Sequence, residues 1–197
     1  MENVMHTDTL LIQRAQANDR TAFNEIVLRY KSRVYNYISR MVRNAADAED
    51  LTQETFVRAY LSIHSFQSRA SLNTWLFRIA ANLCVDFSRK TKTHIQAASL
   101  SQTYDDNDTE NQRDVPDVSF DPQRVFMNKE LAKELDKALA LLPEKLRSVI
   151  LLYDMEGLSY EEIAAILNAP LGTVKSRIFN ARTQLRDTLS PYLKGAL

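Results

Sequence analysis

Residues 158–185 read LSYEEIAAILNAPLGTVKSRIFNARTQL, and this stretch decides the fold. Ser159 and Glu162 stand at Ser-x-x-Glu spacing just ahead of an apolar run, the pattern of a capping box at a helix start. Ile163, Ala164, Ile166 and Leu167 then form the inner face of a short helix. Asn168, Ala169, Pro170 and Leu171 make a tight break, and Gly172 or Thr173 opens a second helix. Val174, Ile178, Ala181, Leu185 and Leu189 face inward on that helix, and small Ala164 allows a close crossing. This is helix-turn-helix patterning. The outer face of the second helix carries Lys175, Ser176, Arg177, Phe179, Asn180, Arg182 and Arg186, with Thr173 at its start. From Pro170 to Lys194 five basic residues oppose one acid, Asp187. A recognition helix needs cations for phosphates and hydrogen-bonding side chains near its N-terminus for base edges. The competing reading is a solvated face on a bundle helix. The coincidence of cap, break and basic face favours DNA, with packing as the alternative for Phe179.

Upstream, Leu131, Leu135, Ala138, Leu139 and Leu142 form a helical stripe, and Pro143 resets the chain. Leu146, Val149, Ile150, Leu152 and Tyr153 form another, which Gly157 ends in the left-handed cap conformation. Residues 128–197 therefore read as one helical domain. Residues 93–127 have no such period, contain Pro116 and Pro122, and read as a flexible acidic linker. Seven acids between Tyr104 and Asp121 stand there against Arg113 alone. The linker is either a tether or a segment that folds back on basic surfaces. Residues 1–92 are helical again. Leu10, Leu11 and Ala15 suggest a first helix capped by Thr7 or Asp8, with Asn18, Asp19 and Thr21 ending it. Phe23, Ile26, Val27, Tyr30, Val34, Tyr37, Ile38 and Met41 mark a long second helix, and Ala48, Leu51, Thr55, Phe56, Ala59, Tyr60 and Ile63 a third. A loop, HSFQSRAS, leads to a fourth capped by Ser71, on which Leu72, Trp75, Leu76, Ile79, Leu83 and Phe87 recur. The fold class is all-α: an N-terminal helical bundle and a C-terminal helix-turn-helix domain joined by the linker.

Composition agrees. The chain has 197 residues, 25 Lys and Arg against 25 Asp and Glu, and only three glycines, which argues against a turn-rich β fold. Cys84 is the single cysteine, so no intrachain disulfide forms, and among Leu83 and Val85 it reads as a core thiol in a reducing cytoplasm. The N-terminus lacks the basic-then-apolar pattern of a signal peptide. No apolar run approaches the ~20 residues of a membrane span.

Two further segments alternate in charge. In NAADAEDLTQETFVRAY, Asp47, Asp50, Glu54 and Arg58 recur at steps of three and four and share a face. Acids in a first turn also suit the helix dipole, which is the plain explanation. In FQSRASLNTWLFRIAANLCVDFSRK, Arg69, Arg78, Arg89 and Lys90 lie among Phe66, Trp75, Phe77 and Phe87, and Lys92 follows. Basic residues interleaved with aromatics suit single-stranded nucleic acid. Core packing is the alternative, favoured for Trp75 and Phe87 and evenly balanced for Phe66 and Phe77.

In this order the pieces resemble the extracytoplasmic-function (ECF) sigma factors of bacterial RNA polymerase, in the sigma-70 family. DAEDLTQETFVRAY resembles their core-polymerase segment, NTWLFRIAANLCVDFSR their −10 segment, and residues 142–182 their −35 domain. The resemblance implies region 2 over 1–92 and region 4 over 128–197. It implies a clamp contact on the largest polymerase subunit through Asp47, Asp50, Leu51, Gln53, Glu54 and Phe56, and a flap contact on the second largest. It implies −10 binding through Phe66, Ser68, Arg69, Ser71, Arg78 and Asn82, with one base flipped out and Asn82 in its pocket. It implies −35 reading through Thr173, Lys175, Ser176, Arg177, Phe179, Asn180 and Arg182. In family members the position of Asn180 can be basic, so asparagine leaves its role as a phosphate contact open. The resemblance also implies an anti-sigma partner, commonly tied to a membrane, promoter DNA as ligand, and no catalysis, cofactor, metal or small-molecule substrate. Two other readings stay open: a helix-turn-helix regulator acting without polymerase, and an all-α metal enzyme using Asp47, Asp50 and Glu54.

Overall fold

The computed structural model describes residues 2–42, 44–67, 70–98 and 122–194. Among them the chain forms eight α-helices: α1 (Glu2–Gln16), α2 (Arg20–Val42), α3 (Ala45–Ser62), α4 (Leu72–Ala98), α5 (Pro122–Leu141), α6 (Glu144–Ile150), α7 (Tyr160–Leu167) and α8 (Leu171–Lys194). Ser68, Arg69 and the acidic stretch 104–121 lie outside the described residues. Helical backbone extends into both ends of the stretch read as linker, since α4 runs to Ala98 and α5 starts at Pro122.

Local chemistry explains the helix ends. Asn18 takes a left-handed φ of 66° after α1. Asp19 then caps α2, its Oδ1 accepting from the backbone N–H of Thr21 at 2.9 Å and of Ala22 at 3.2 Å. Asn44 caps α3 by accepting from the N–H of Asp47 at 3.2 Å. Ser71 caps α4, accepting from the N–H of Thr74 at 3.0 Å. The expected cap of α1 is corrected: the helix begins at Glu2, ahead of Thr7 and Asp8. Asp8 instead accepts from Arg29 at 2.6 Å and from the Tyr30 hydroxyl, fastening α1 to α2.

The first four helices bury one side each. Ile26, Val34, Tyr37 and Ile38 of α2, Phe56 and Ala59 of α3, and Leu76, Phe77 and Ala80 of α4 meet in a common core. Tyr37 stands edge-on to Phe77, ring centres 5.5 Å apart. In the second half, α6 runs on into a π-helical turn, Leu151–Met155, and Gly157 at φ +67° releases the chain toward α7. The capping box forms as its spacing predicts. The Ser159 hydroxyl accepts from the N–H of Glu162 at 3.1 Å, and the Ser159 N–H donates to the Glu162 carboxylate at 2.9 Å. Asn168, at φ 47°, ends α7. The next helix starts at Leu171, one residue before the Gly172 expected, because the carbonyl of Pro170 already accepts from Val174. Ser159→Ala should cost ~1 kcal/mol of stability. In thermal melting this lowers Tm by about 2–4 °C; an unchanged Tm refutes the box as a stabilising element.

The two halves pack together. α4 lies against α7, and α2 against α5 and α6. The buried Tyr37 hydroxyl shares a 2.9 Å hydrogen bond with Ser148. Arg33 pairs with Glu156 at 2.7 Å, Arg40 with Asp136 at 2.9 Å, and Lys92 with Glu144 at 3.2 Å. Ser88 donates to Glu144 at 2.6 Å, and Thr74 to Glu162 at 2.6 Å. Glu162 thus serves its own helix cap and the α4 contact together. Burial favours the neutral form of its carboxyl, but donors from Thr74, Ser159 and Ser71 outweigh burial and lower its pKa.

Candidate nucleic-acid interface

The helix-turn-helix places α8 with one apolar and one polar side. Val174, Ile178 and Ala181 are buried against α6 and α7, so the residues between them must face out. Lys175, Ser176, Asn180 and Arg182 are exposed, and Thr173 and Arg177 are half-buried beside them. Phe179 is 71% exposed, which decides against packing for that ring. All seven residues expected on this surface therefore lie on one stretch of α8. The Ser176 hydroxyl is turned back to the Thr173 carbonyl at 3.0 Å. Behind the exposed face sit Tyr153, Asp154 and Tyr160, which the sequence reading left out. Tyr153 and Tyr160 stack with ring centres 4.9 Å apart, and Arg182 lies over Tyr153 and Lys175 over Tyr160.

The second basic surface is on α4. Arg78, Asn82 and Arg89 follow helical spacing and are exposed, whereas Leu76, Phe77, Ala80 and Ala81 are buried. Two aromatics expected as possible contacts are corrected to core. Phe77 is fully buried against Tyr37. Phe66 is buried with its ring 5.0 Å from Trp75, and its carbonyl accepts from Gln16 at 2.9 Å. The short 3-10 turn after α3 tucks Phe66 under α4, so its ring is not offered to a base. The Ser71 hydroxyl is occupied by its capping role. Arg78 and Asn82 are the expected −10 residues whose described side chains stand open.

On α3, Asp50 and Gln53 are exposed, while Asp47, Leu51 and Glu54 are half-buried. Glu54 pairs with Arg58 at 2.7 Å along the helix. Phe56 is buried and forms the floor of an open groove between α2 and α3, lined also by Val27, Gln53, Val57 and Tyr60. Val57 at 51% and Leu61 at 74% exposure extend this apolar strip, and Leu28 adds to the exposed apolar surface of α2. Val57 and Leu61 were missed, although apolar residues four apart and off the core stripe are a readable signal. No group of three or more His, Cys, Asp or Glu side chains among the described residues could hold a metal ion. No described helix is long and apolar enough to cross a membrane.

Residues 26–94 match the family described as Sigma-70 region 2, and residues 132–185 match Sigma-70, region 4. The chain is 35% identical over 188 residues to the ECF RNA polymerase sigma-E factor of Escherichia coli K12, covering 95% of this chain and 97% of that one. The chain belongs to the ECF sigma factors of the sigma-70 family. A sigma-H factor of Pseudomonas aeruginosa is 34% identical over 195 residues, covering 96% of this chain and 97% of the relative. The solved structure of the sigma factor RpoE with the anti-sigma factor NepR from Bartonella quintana superposes with a TM-score of 0.67 at 28% identity, over 85% of this chain and 96% of that one. As a sigma factor the chain directs RNA polymerase to promoters. Both region matches are present and in order, which disfavours a regulator acting without polymerase.

Proposed function

We propose that this sigma factor divides promoter recognition among three exposed faces. The α3 face and its neighbouring groove take the clamp of core polymerase. The α4 face takes the −10 element, and α8 takes the −35 element. In this reading residues 1–92 form region 2, 93–127 the joint and 128–197 region 4. The observation that carries it is the simultaneous exposure of Arg78 and Asn82 on α4 and of Lys175, Asn180 and Arg182 on α8. Basic faces supply phosphate attraction, and amide and guanidinium groups supply hydrogen bonds to bases. The polymerase performs the chemistry, and the sigma factor supplies specificity and helps open the duplex. Pull-down with core polymerase and run-off transcription in vitro test this directly. A chain that neither binds core nor directs initiation overturns it.

Two substitutions separate the faces. Asn82 has an amide that both donates and accepts, which suits a flipped base. Flipping costs a few kcal/mol, so the pocket must return that energy. Asn82→Ala should impair open-complex formation, read by permanganate footprinting, and leave −35 duplex affinity within twofold. Arg177→Ala should instead weaken −35 duplex binding by ~1–3 kcal/mol at fixed salt. If both variants lose both activities equally, the division of labour is wrong.

We further propose that a cytoplasmic anti-sigma domain holds this chain, as NepR holds the Bartonella RpoE. A cognate protein added in equimolar amount should abolish run-off transcription; persistence of transcription with every candidate encoded by the same genome refutes this.

A further inference from the structure

We propose that Asp154 and Tyr153 are positioning residues that aim the Arg182 guanidinium at a guanine in the −35 element. The proposal rests on the reading that α8 enters the major groove. Arg182 reaches back across 28 residues to the π-helical turn and meets Asp154 edge to edge. Its Nε donates to Oδ2 at 3.3 Å, and its Nη2 donates to Oδ1. Both bonds use the side edge of the guanidinium. Arginine carries five N–H protons, so three remain. Two of these, one on each Nη, form the end-on pair at the tip of the side chain. Guanine presents two acceptors, O6 and N7, to the major groove, and an end-on guanidinium matches both. Asp154 therefore occupies the wrong edge for reading and leaves the right edge open.

Tyr153 fixes the remaining freedom, the plane of the group. The Arg182 guanidinium carbon lies 4.9 Å from the centre of the Tyr153 ring. Tyr153 cannot swing away easily, because Tyr160 stacks on it at 16° between planes. Tyr160 is the first residue of α7, just inside the capping box, so the platform is tied to the helix-turn-helix frame. The π-helical turn is what delivers Tyr153 and Asp154 to this place, since its extra residue per turn rotates them relative to α6.

The ion pair is exposed, at 53% for Arg182 and 40% for Asp154, so it contributes little to stability. Its effect lies in orientation and charge. A free arginine binds any phosphate it meets. Held by Asp154, Arg182 is partly neutralised toward phosphate but aimed at a base. The pair should lower affinity for random DNA and raise discrimination at one base pair.

The test is selection of −35 duplexes from a random pool by holoenzyme, with affinity for a scrambled duplex measured at fixed salt. The proteins are wild type, Asp154→Asn, Asp154→Glu, Arg182→Ala, Arg177→Ala and the double variant Asp154→Asn/Arg182→Ala. We expect Asp154→Asn to relax discrimination about tenfold at one guanine position and leave other positions unchanged. Scrambled-duplex affinity should rise two- to threefold at low salt, on the order expected for losing one negative charge. Asp154→Glu should retain discrimination. Arg182→Ala should lose the same position, and the double variant should be no worse than Arg182→Ala. If Arg177→Ala and Arg182→Ala relax selection but Asp154→Asn does not, the positioning role is overturned and the α8 reading stands. If neither arginine variant alters selection, the α8 reading fails and takes this inference with it.

Discussion

Val57→Glu and Leu61→Glu should each weaken binding to core polymerase about 100-fold, the loss typical of a central interface residue, with no fall in Tm. Both residues are exposed, so a carboxylate there stays in water and the isolated fold tolerates it. On the assembled surface the same carboxylate is buried without a partner, which is costly. The strip they form continues the groove floored by Phe56 and edged by Gln53. An exposed apolar strip of this kind marks a surface that a partner covers. Asp50 and Gln53 flank the strip, and in the proposed reading their replacement by alanine should cost much less. Phe56 makes the control. It is buried, so Phe56→Ala lowers Tm by opening a cavity and reports on folding rather than on the partner. Fluorescence titration of labelled sigma factor with core enzyme reads all five variants. Binding within threefold of wild type for both glutamate variants places the polymerase face elsewhere.

The sequence reading succeeded where a signal was local. Ser159, Glu162, Gly157 and Asn168 stand within a few residues of the backbone groups they serve, so spacing alone located the helix-turn-helix. Val174, Ile178 and Ala181 then fixed which side of α8 faces out. It failed where a helix packs on more than one side. α4 touches α2 and α3 on one flank and α7 on another, so a single apolar stripe left Phe77 outside although it is fully buried. It also failed where partners are far apart in sequence. Arg33 and Glu156 are 123 positions apart, and no periodicity announces their pairing. Tyr153 and Asp154 were hidden for a third reason. A regular helix through residues 146–153 makes Tyr153 one more core residue, whereas the π-helical turn brings its ring against Tyr160 and Arg182.

The packed halves must separate for one chain to read both promoter elements, and that separation should be visible as loss of energy transfer. By their own numbering the elements lie about 25 base pairs apart, roughly 85 Å of DNA at about 3.4 Å per base pair. α4 and α7 are in direct contact, so the two reading faces cannot span that length as packed. Covalent reach comes close to that span, because residues 99–121 allow roughly 80 Å at 3.3–3.6 Å per residue and the helical halves at either end cover the remainder. Several contacts between the halves are polar and can be replaced by water. The Glu156 side chain is nearly out of water, and burial pushes its carboxyl up despite the opposing Arg33 charge. On opening, both charges regain water, which offsets the loss of their mutual attraction. The hydroxyls of Tyr37 and Ser148 exchange one another for water on opening, at little net cost. Dyes placed by Thr91→Cys and Lys145→Cys flank the Ser88–Glu144 and Lys92–Glu144 contacts on either side of the interface. Native Cys84 does not compete for label, because burial pushes its thiol up to about 12. Transfer should be high in the free chain and fall to a small fraction of that value when core enzyme and promoter DNA are added. Tyr37→Phe, which strands the Ser148 hydroxyl, should lower transfer in the free chain alone. Transfer that stays high in a transcribing holoenzyme rules out separation, and with it the assignment of α4 and α8 to two distant elements.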